Sequence, residues 1–433
     1  MELLEIKLGG ICNIKSTHLI LGKNITSLVS TNNYGKSNLI KAFNFFLSFI
    51  HAVPVVKSRM MSDSLFIPLN NMTAHKNFFA ELKLLFHLSG EAYFVKYSLE
   101  FEWRKNNEKT DSGKRIVGES LSISPIGSHK KYASLIRRRE TARYKASQLG
   151  RCDKQIKVKD NELVINKLIL EDSLYWYPIL EILDSLNMYI ERHLDVETMY
   201  MPNFLIPKWQ EEFDINTVND VPRILYKLQD KDTGEYMRLI DAFSQLFPDL
   251  NMTLHTKQLD KEQSDNPKLP DDIPYSVSDR IYYILVRDKN LNQSINFNML
   301  SDGTKRLFTL LLYAVMADRS GLSVIAIEEP ENSIHPALLQ DFLNILCQLA
   351  GSCKILLASH SPYILQYVNT EDIYIGRPNQ YGLANFSKIS AKKQKNLMRE
   401  VRKEGCDVGS YIFDLLSGSN NDTELLNNYL EDE

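Results

Sequence analysis

Residues 30–38 read Ser-Thr-Asn-Asn-Tyr-Gly-Lys-Ser-Asn, set between the apolar run ITSLV at 25–29 and the segment NLIKAFNFFLSFI at 38–50, where apolar residues recur three and four apart. A β-like run, a polar loop with a glycine and a helix therefore follow one another. That order points the backbone N–H groups of the loop inward and presents the positive end of the helix, which suits a phosphate chain. Lys36 adds charge and Ser37 offers a hydroxyl to Mg²⁺, while Ser30, Asn32, Asn33, Gly35 and Asn38 complete the candidate cradle. Ser30 stands where the usual phosphate-loop pattern has its leading glycine. A glycine-containing turn beside any helix shares the Gly-Lys-Ser letters, so the preceding strand is what argues for a site.

Three more clusters follow downstream. Val324-Ile325-Ala326-Ile327-Glu328-Glu329-Pro330-Glu331 is an apolar run delivering carboxylates at its end, where open α/β sheets bind ligands. Glu328 suits a Mg²⁺ shell, and Glu329 suits a general base for water. Leu300-Ser301-Asp302-Gly303-Thr304-Lys305-Arg306 opens an apolar helix with a hydroxyl and a glycine, as an anion site or an ordinary capped helix does. Ser359-His360-Ser361-Pro362 ends the run KILLA and brings a titratable imidazole to a strand end.

Together and in this order, the four clusters resemble the Walker A, signature, Walker B and switch-histidine motifs of ABC-type ATPases, in particular the compact SMC-like AAA_15 and AAA_21 families. The resemblance covers roughly residues 1–100 and 275–370. It implies an α/β ABC/SMC-type P-loop ATPase head with an N-terminal β-rich lobe and an inserted helical region, as in SMC, RecF and OLD-type heads. It implies ATP and Mg²⁺ as ligands, Glu329 and His360 as catalytic residues, and Ser37 and Glu328 at the metal. Ser301, Asp302 and Gly303 would close over the nucleotide of a second copy, making self-association part of catalysis. Glu328 departs from the commoner aspartate, and no glutamine of the Q-loop kind stands out. Asn13 and Lys15 lie where related heads often contact nucleotide, or are ordinary surface residues.

Only about 70 residues follow His360, without the acids of a Toprim nuclease. Stand-alone heads of this kind look most like the ATPase subunits of bacterial anti-phage systems of the PARIS and Septu type, which imply a separately encoded effector, a nuclease. The alternatives are a RecF- or Rad50-like DNA repair ATPase and a nucleotide-binding scaffold with little turnover.

Composition bounds these readings. The 433 residues are 44% hydrophobic, enough for a full core, and 51 basic against 54 acidic residues leave a formal charge of -3. No bulk field attracts nucleic acid, so any such contact needs a local patch. Lys130, Lys131, Arg137, Arg138, Arg139 and Arg143 provide a candidate polyanion contact, read as lying on a helical stretch, or else a solvated basic face. Five cysteines, odd in number and without a paired CxxC spacing, argue against a disulfide framework and a zinc site. The longest largely apolar stretch, Leu307–Ala317, is too short to span a bilayer, and the start MELLEIKLGG does not resemble a secretory signal. A cytoplasmic protein without membrane contact is expected.

Along the chain the expected divisions are 1–125 for the first half of the head, 126–275 for the helical insertion, 276–370 for the second half and 371–433 for a C-terminal extension. Residues 78–101 alternate and carry Ser89-Gly90, which predicts a hairpin; residues 104–115 and 256–272 read as polar loops.

Overall fold

The computed structural model describes residues 1–30, 34–62, 67–88, 90–104, 115–127, 132–191, 199–201, 205–207, 220–258, 270, 273–317, 322–332, 334–377, 381–418 and 420–431. The chain divides into two compact units, Met1–Ile190 with Lys354–Glu433, and Glu191–Cys353.

In the first unit an eight-stranded antiparallel sheet runs from Thr17–Ile20 at one edge through Glu2–Gly9, Phe78–Leu88, Glu91–Phe101, Ile116–Pro125, Ala133–Arg138 and Ala142–Lys145 to Cys152–Ile156. The predicted hairpin is present, Leu88 facing Glu91 across a turn in which Gly90 takes a φ of 85°. Helix Lys36–His51 buries Phe45, Phe46 and Phe49 among rings from this sheet. Ring centroids stand 4.9 Å apart for Phe49 and Phe101, 4.7 Å for Phe78 and Phe101, and 5.5 Å for Phe45 and Phe78. Such contacts each add about 1 kcal/mol beyond the area they bury. Trp103 satisfies its ring N–H on the Gly10 carbonyl at 2.7 Å.

The same unit holds parallel strands Lys354–Ser359, Ile25–Val29 and Ile373–Arg377 as successive neighbours, with Asn385–Lys388 antiparallel beyond them. Lys354–Ser359 is buried at every position, as a parallel strand covered on both faces must be. Ile373–Arg377 and Asn385–Lys388 are thus strands of the sheet that carries the phosphate loop and not an appendage beyond residue 370.

In the second unit helices Val221–Lys231 and Thr233–Leu246 form a short hairpin, and Asp232 accepts the Glu235 N–H at 3.1 Å to cap the latter. Helix Asp302–Met316, strand Leu322–Glu328 and helix Pro336–Leu349 supply most of the remaining core. Tyr200, Phe243, Phe297 and Phe308 pack as one aromatic cluster. Leu250–Gln258 pairs with Arg280–Asp288, so the polar stretch expected as a loop from 256 begins as strand; 259–269 and 271–272 fall outside the described residues, as do 105–114.

The helical reading of the region after 126 is corrected. Residues 133–156 are three strands of the antiparallel sheet, followed only later by helices Val164–Leu168 and Tyr177–Ser185. Leu135, Ile136, Ala142 and Tyr144 point inward, while Arg137 and Arg143 face each other on the outer side. Runs of four to six residues are too short for a period of two to stand out from helical spacing, and the arginines mask it further. Among the described residues no helix is long and apolar enough to cross a membrane.

Lys57, on helix Pro54–Met60, is 1% exposed. Its ammonium donates to the carbonyls of Ile50 (3.1 Å) and Ala52 and to Asn166 Oδ1 (2.8 Å), closing the end of the phosphate-loop helix. Burial draws its pKa down from 10.5 to about 8, partly offset by Glu119 and Asp184. The folded state therefore carries a penalty for the charged amine at full strength below pH 8, and that penalty disappears as pH rises toward 10.5. Urea unfolding of wild type and Lys57→Met across this range should show the stability gap moving in favour of wild type by up to about 3 kcal/mol. A gap that does not change with pH would contradict the shift.

Candidate functional site

In the first unit the phosphate loop leaves strand Ile25–Val29 and enters its helix through Gly35, whose φ of 99° is left-handed. A Cβ at that position would lie 2.6 Å from Ala384 Cβ and 3.0 Å from Asn13 Oδ1, so space and conformation both demand glycine. Gly35, the N-cap residue, brings no side chain to the first turn of the helix, the end of a helix that favours an anion. Lys36 is 7% exposed and donates to the Ser30 carbonyl at 2.8 Å and to Ser30 Oγ at 3.3 Å, clasping one end of the loop to the other. Ser37 and Asn38 are half-buried just beyond; Asn32 and Asn33 fall outside the described residues.

The serine at position 30 is accommodated by a neighbour. Strand Ile373–Arg377 pairs alongside, and a Cβ at Gly376 would stand only 2.9 Å from that of Ser30. Gly376 thus supplies the room that the missing loop glycine would have given. Asn13 is part of the site's frame: it accepts from Asn38 Nδ2 at 2.9 Å and donates to the Gly382 carbonyl at 3.1 Å. Lys15 is exposed and its side chain has no partner among the described residues. His360 follows the strand whose last residue, Ser359, is in register with Val29, and the Ser30 N–H donates to the Ser359 carbonyl at 3.4 Å. His360 therefore belongs to the same strand ends as the phosphate loop.

The second unit holds the other predicted residues. Ser301 caps helix Asp302–Met316, accepting the Thr304 N–H at 3.2 Å, and lies with Asp302 at the surface while Gly303 is buried. Lys305 is 2% exposed and pairs with Asp302 at 2.8 Å. Glu328 closes the buried strand Leu322–Glu328, and Glu329, immediately after it, takes a φ of 50°. That left-handed geometry costs a residue with a side chain about 1–3 kcal/mol and persists only where its surroundings impose it.

Arg306 imposes it, a role that the motif reading does not assign. Its guanidinium is 1% exposed and uses all five N–H donors. Nε and Nη2 grip the Glu191 carboxylate at 2.8 and 2.6 Å. Nη2 also donates to the Glu328 carbonyl at 2.9 Å, and Nη1 donates to the carbonyls of Glu329 at 3.1 Å and Asn332 at 2.8 Å. A residue of helix Asp302–Met316 thus holds the backbone around Glu329, and Glu191 balances the charge. Only the run Lys305-Arg306 inside an apolar helix could have signalled it, because a buried cation requires an acidic partner.

The basic cluster separates into distinct roles. Arg137, Arg139 and Arg143 are exposed, whereas Arg138 is buried and donates to the carbonyls of Glu162 and Lys159, the latter at 2.9 Å. Burial raises the pKa of Glu119, partly offset by the N–H groups of Val164 at 2.6 Å and Ile165 at 3.1 Å, which its carboxyl accepts, and by nearby Arg138. Arg138 is accordingly removed from the candidate polyanion contact, and Lys130 and Lys131 fall outside the described residues.

Two predictions follow from these contacts. Arg306→Lys offers three donors for five acceptors and should cost roughly 2–3 kcal/mol in urea unfolding. At a temperature where the variant stays folded, ATP turnover should fall roughly tenfold or more with nucleotide affinity nearly unchanged, a split that a purely structural role would not give. Arg138→Ala should cost about 3 kcal/mol, while Arg137→Ala and Arg143→Ala should each stay within about 0.5 kcal/mol of wild type. Equal losses at the three arginines would refute the division.

Comparison with known proteins matches this arrangement. Residues 192–366 match the family AAA_21, described as "AAA domain, putative AbiEii toxin, Type IV TA system". An SMC head bound to the C-terminal winged-helix domain of ScpA superposes with a TM-score of 0.50 at 10% identity, covering 92% of this chain and 100% of that one. An SMC head from Thermotoga maritima gives 0.41 at 12% identity over 90% of this chain and 100% of that one. An SMC head with an extended coiled coil, bound to the C-terminal domain of ScpA from Pyrococcus furiosus, gives 0.45 at 11% over 93% and 99%. No curated protein matches in sequence. The chain has the α/β fold of an ABC/SMC-type P-loop ATPase head, with residues 192–366 similar to AAA_21 domains.

Proposed function

We propose that the chain binds and hydrolyses ATP with Mg²⁺, self-associates around the nucleotide, and thereby controls a separate effector protein in bacterial anti-phage defence. The observation that carries the nucleotide part is left-handed Gly35 at the helix start, where a side chain would clash, with buried Lys36 beside it. In this reading the loop N–H groups and Lys36 hold the β- and γ-phosphates, and Ser37 and Glu328 hold the metal. A bound Mg²⁺ supplies charge neutralisation at the phosphate oxygens. Glu329 takes the proton of the attacking water, and His360 stabilises the γ-phosphate end by hydrogen bonding. Ser301, Asp302 and Gly303 of a second copy complete the site, a role favoured by the exposure of Ser301 and Asp302. The effector part rests on resemblance to heads that act through a second protein; the SMC head compared above is itself bound to ScpA.

A DNA-repair reading is favoured by one observation, the exposed cross-strand pair Arg137 and Arg143 with Arg139 beside it.

Turnover and molar mass, measured together for wild type, Glu329→Gln and Lys36→Ala, test the proposal. Glu329→Gln should keep ATP affinity, lose roughly 100-fold or more in turnover and trap an oligomer in Mg-ATP, while Lys36→Ala should lose nucleotide binding. Equal loss of binding in both variants, or a monomer in every nucleotide state, would sink it. Turnover that rises with duplex DNA and loses this response in Arg137→Glu/Arg143→Glu would put the repair reading in its place.

A further inference from the structure

Helix Gln394–Glu404 buries Leu397 and Val401 and turns its other side to solvent. On that side Lys395, Met398, Arg399, Arg402 and Lys403 recur at the spacing of one continuous face. With Gln394 they line a shallow groove of about 590 Å³ that contains no acidic side chain. The helix is firmly seated: Gln394 donates to Thr370 Oγ1 at 2.6 Å, Lys393 to the Leu430 carbonyl at 2.8 Å, and Gly405 ends it with a φ of 68°. Glu400 engages Lys403 at 2.8 Å and Arg399 at 3.4 Å. Lys395 and Arg402 have no side-chain partner among the described residues and stand about 10 Å apart along the helix axis.

We propose that this face docks an acidic, amphipathic segment of a partner protein. A surplus of cations on a chain whose formal charge is -3 is a local feature that selects an anionic partner. Met398, 36% exposed between those cations, offers an adaptable apolar contact that a leucine or phenylalanine satisfies and a phosphate does not. Among the described residues no aromatic side chain lines the groove as a platform for stacked bases. The occupant is therefore a segment carrying carboxylates around an apolar anchor. The groove shares no residue with the nucleotide site, and its test is independent of the ATPase reading.

Fluorescence anisotropy on the full chain decides the matter. The probes are a labelled peptide of about 18 residues with leucines at helical spacing among glutamates, a glutamine-for-glutamate version, and a duplex of about 20 base pairs. Wild type should bind the acidic peptide and not its neutral version. Lys395→Glu/Arg402→Glu should weaken binding roughly tenfold or more, and Met398→Ser should weaken it severalfold at high salt, where the charge contribution is screened. Both variants change exposed side chains, and circular dichroism verifies their folding. No binding of the acidic peptide by wild type, or binding unmoved by both variants, overturns the proposal. So does tighter binding of the duplex that is lost in the charge-reversed variant.

Discussion

The geometry around Glu329 depends on one buried guanidinium. Arg306 is out of water, and an isolated charge there would be prohibitive, so Glu191 must be present and bidentate. With that pairing made, the remaining N–H donors fasten three backbone carbonyls, those of Glu328, Glu329 and Asn332. The left-handed φ at Glu329 is thus held by a network whose every donor is occupied. A lysine would supply the charge without the planar fork. The tie also makes the direction of the backbone after strand Leu322–Glu328 depend on the packing of helix Asp302–Met316.

The phosphate loop is held by a different device. Its helix sets Phe49 on Phe101 of the antiparallel sheet, which stacks in turn on Phe78 of the neighbouring strand. Two glycines far apart in sequence then create clearance: Gly35 against Ala384 and Asn13, and Gly376 against Ser30. A serine in the loop is workable because a distant strand gives up a side chain. The room around Ser30 and Gly35 therefore depends on Gly376 and Ala384 as much as on the loop's own residues.

Charge follows the same lesson of local arrangement. A near-neutral total hides an exposed arginine pair on the antiparallel sheet and a cation-lined groove on helix Gln394–Glu404, while Arg138 and Arg306, identical in letter, are consumed inside. Neighbouring arginines at 137, 138 and 139 have opposite fates because successive side chains of a strand point to opposite faces.

The sequence by itself determined the elements whose signal is local. A strand, a loop and a helix around Gly35-Lys36-Ser37, the apolar strand ending at Glu328, the hairpin at Gly90 and the capped helix after Ser301 all follow from short-range periodicity and turn chemistry. Tertiary structure alone decided the rest. Short strands at 133–156 take their identity from sheet neighbours, since four to six residues carry too little pattern of their own. The pairing of Arg306 with Glu191 joins positions 115 residues apart, and the clearance between Ser30 and Gly376 likewise exists only after the chain has brought them together. Periodicity reports which face of an element is buried; it contains no information about which distant residue will meet that face, and that meeting is what made Arg306 a positioning residue and Arg138 a structural one.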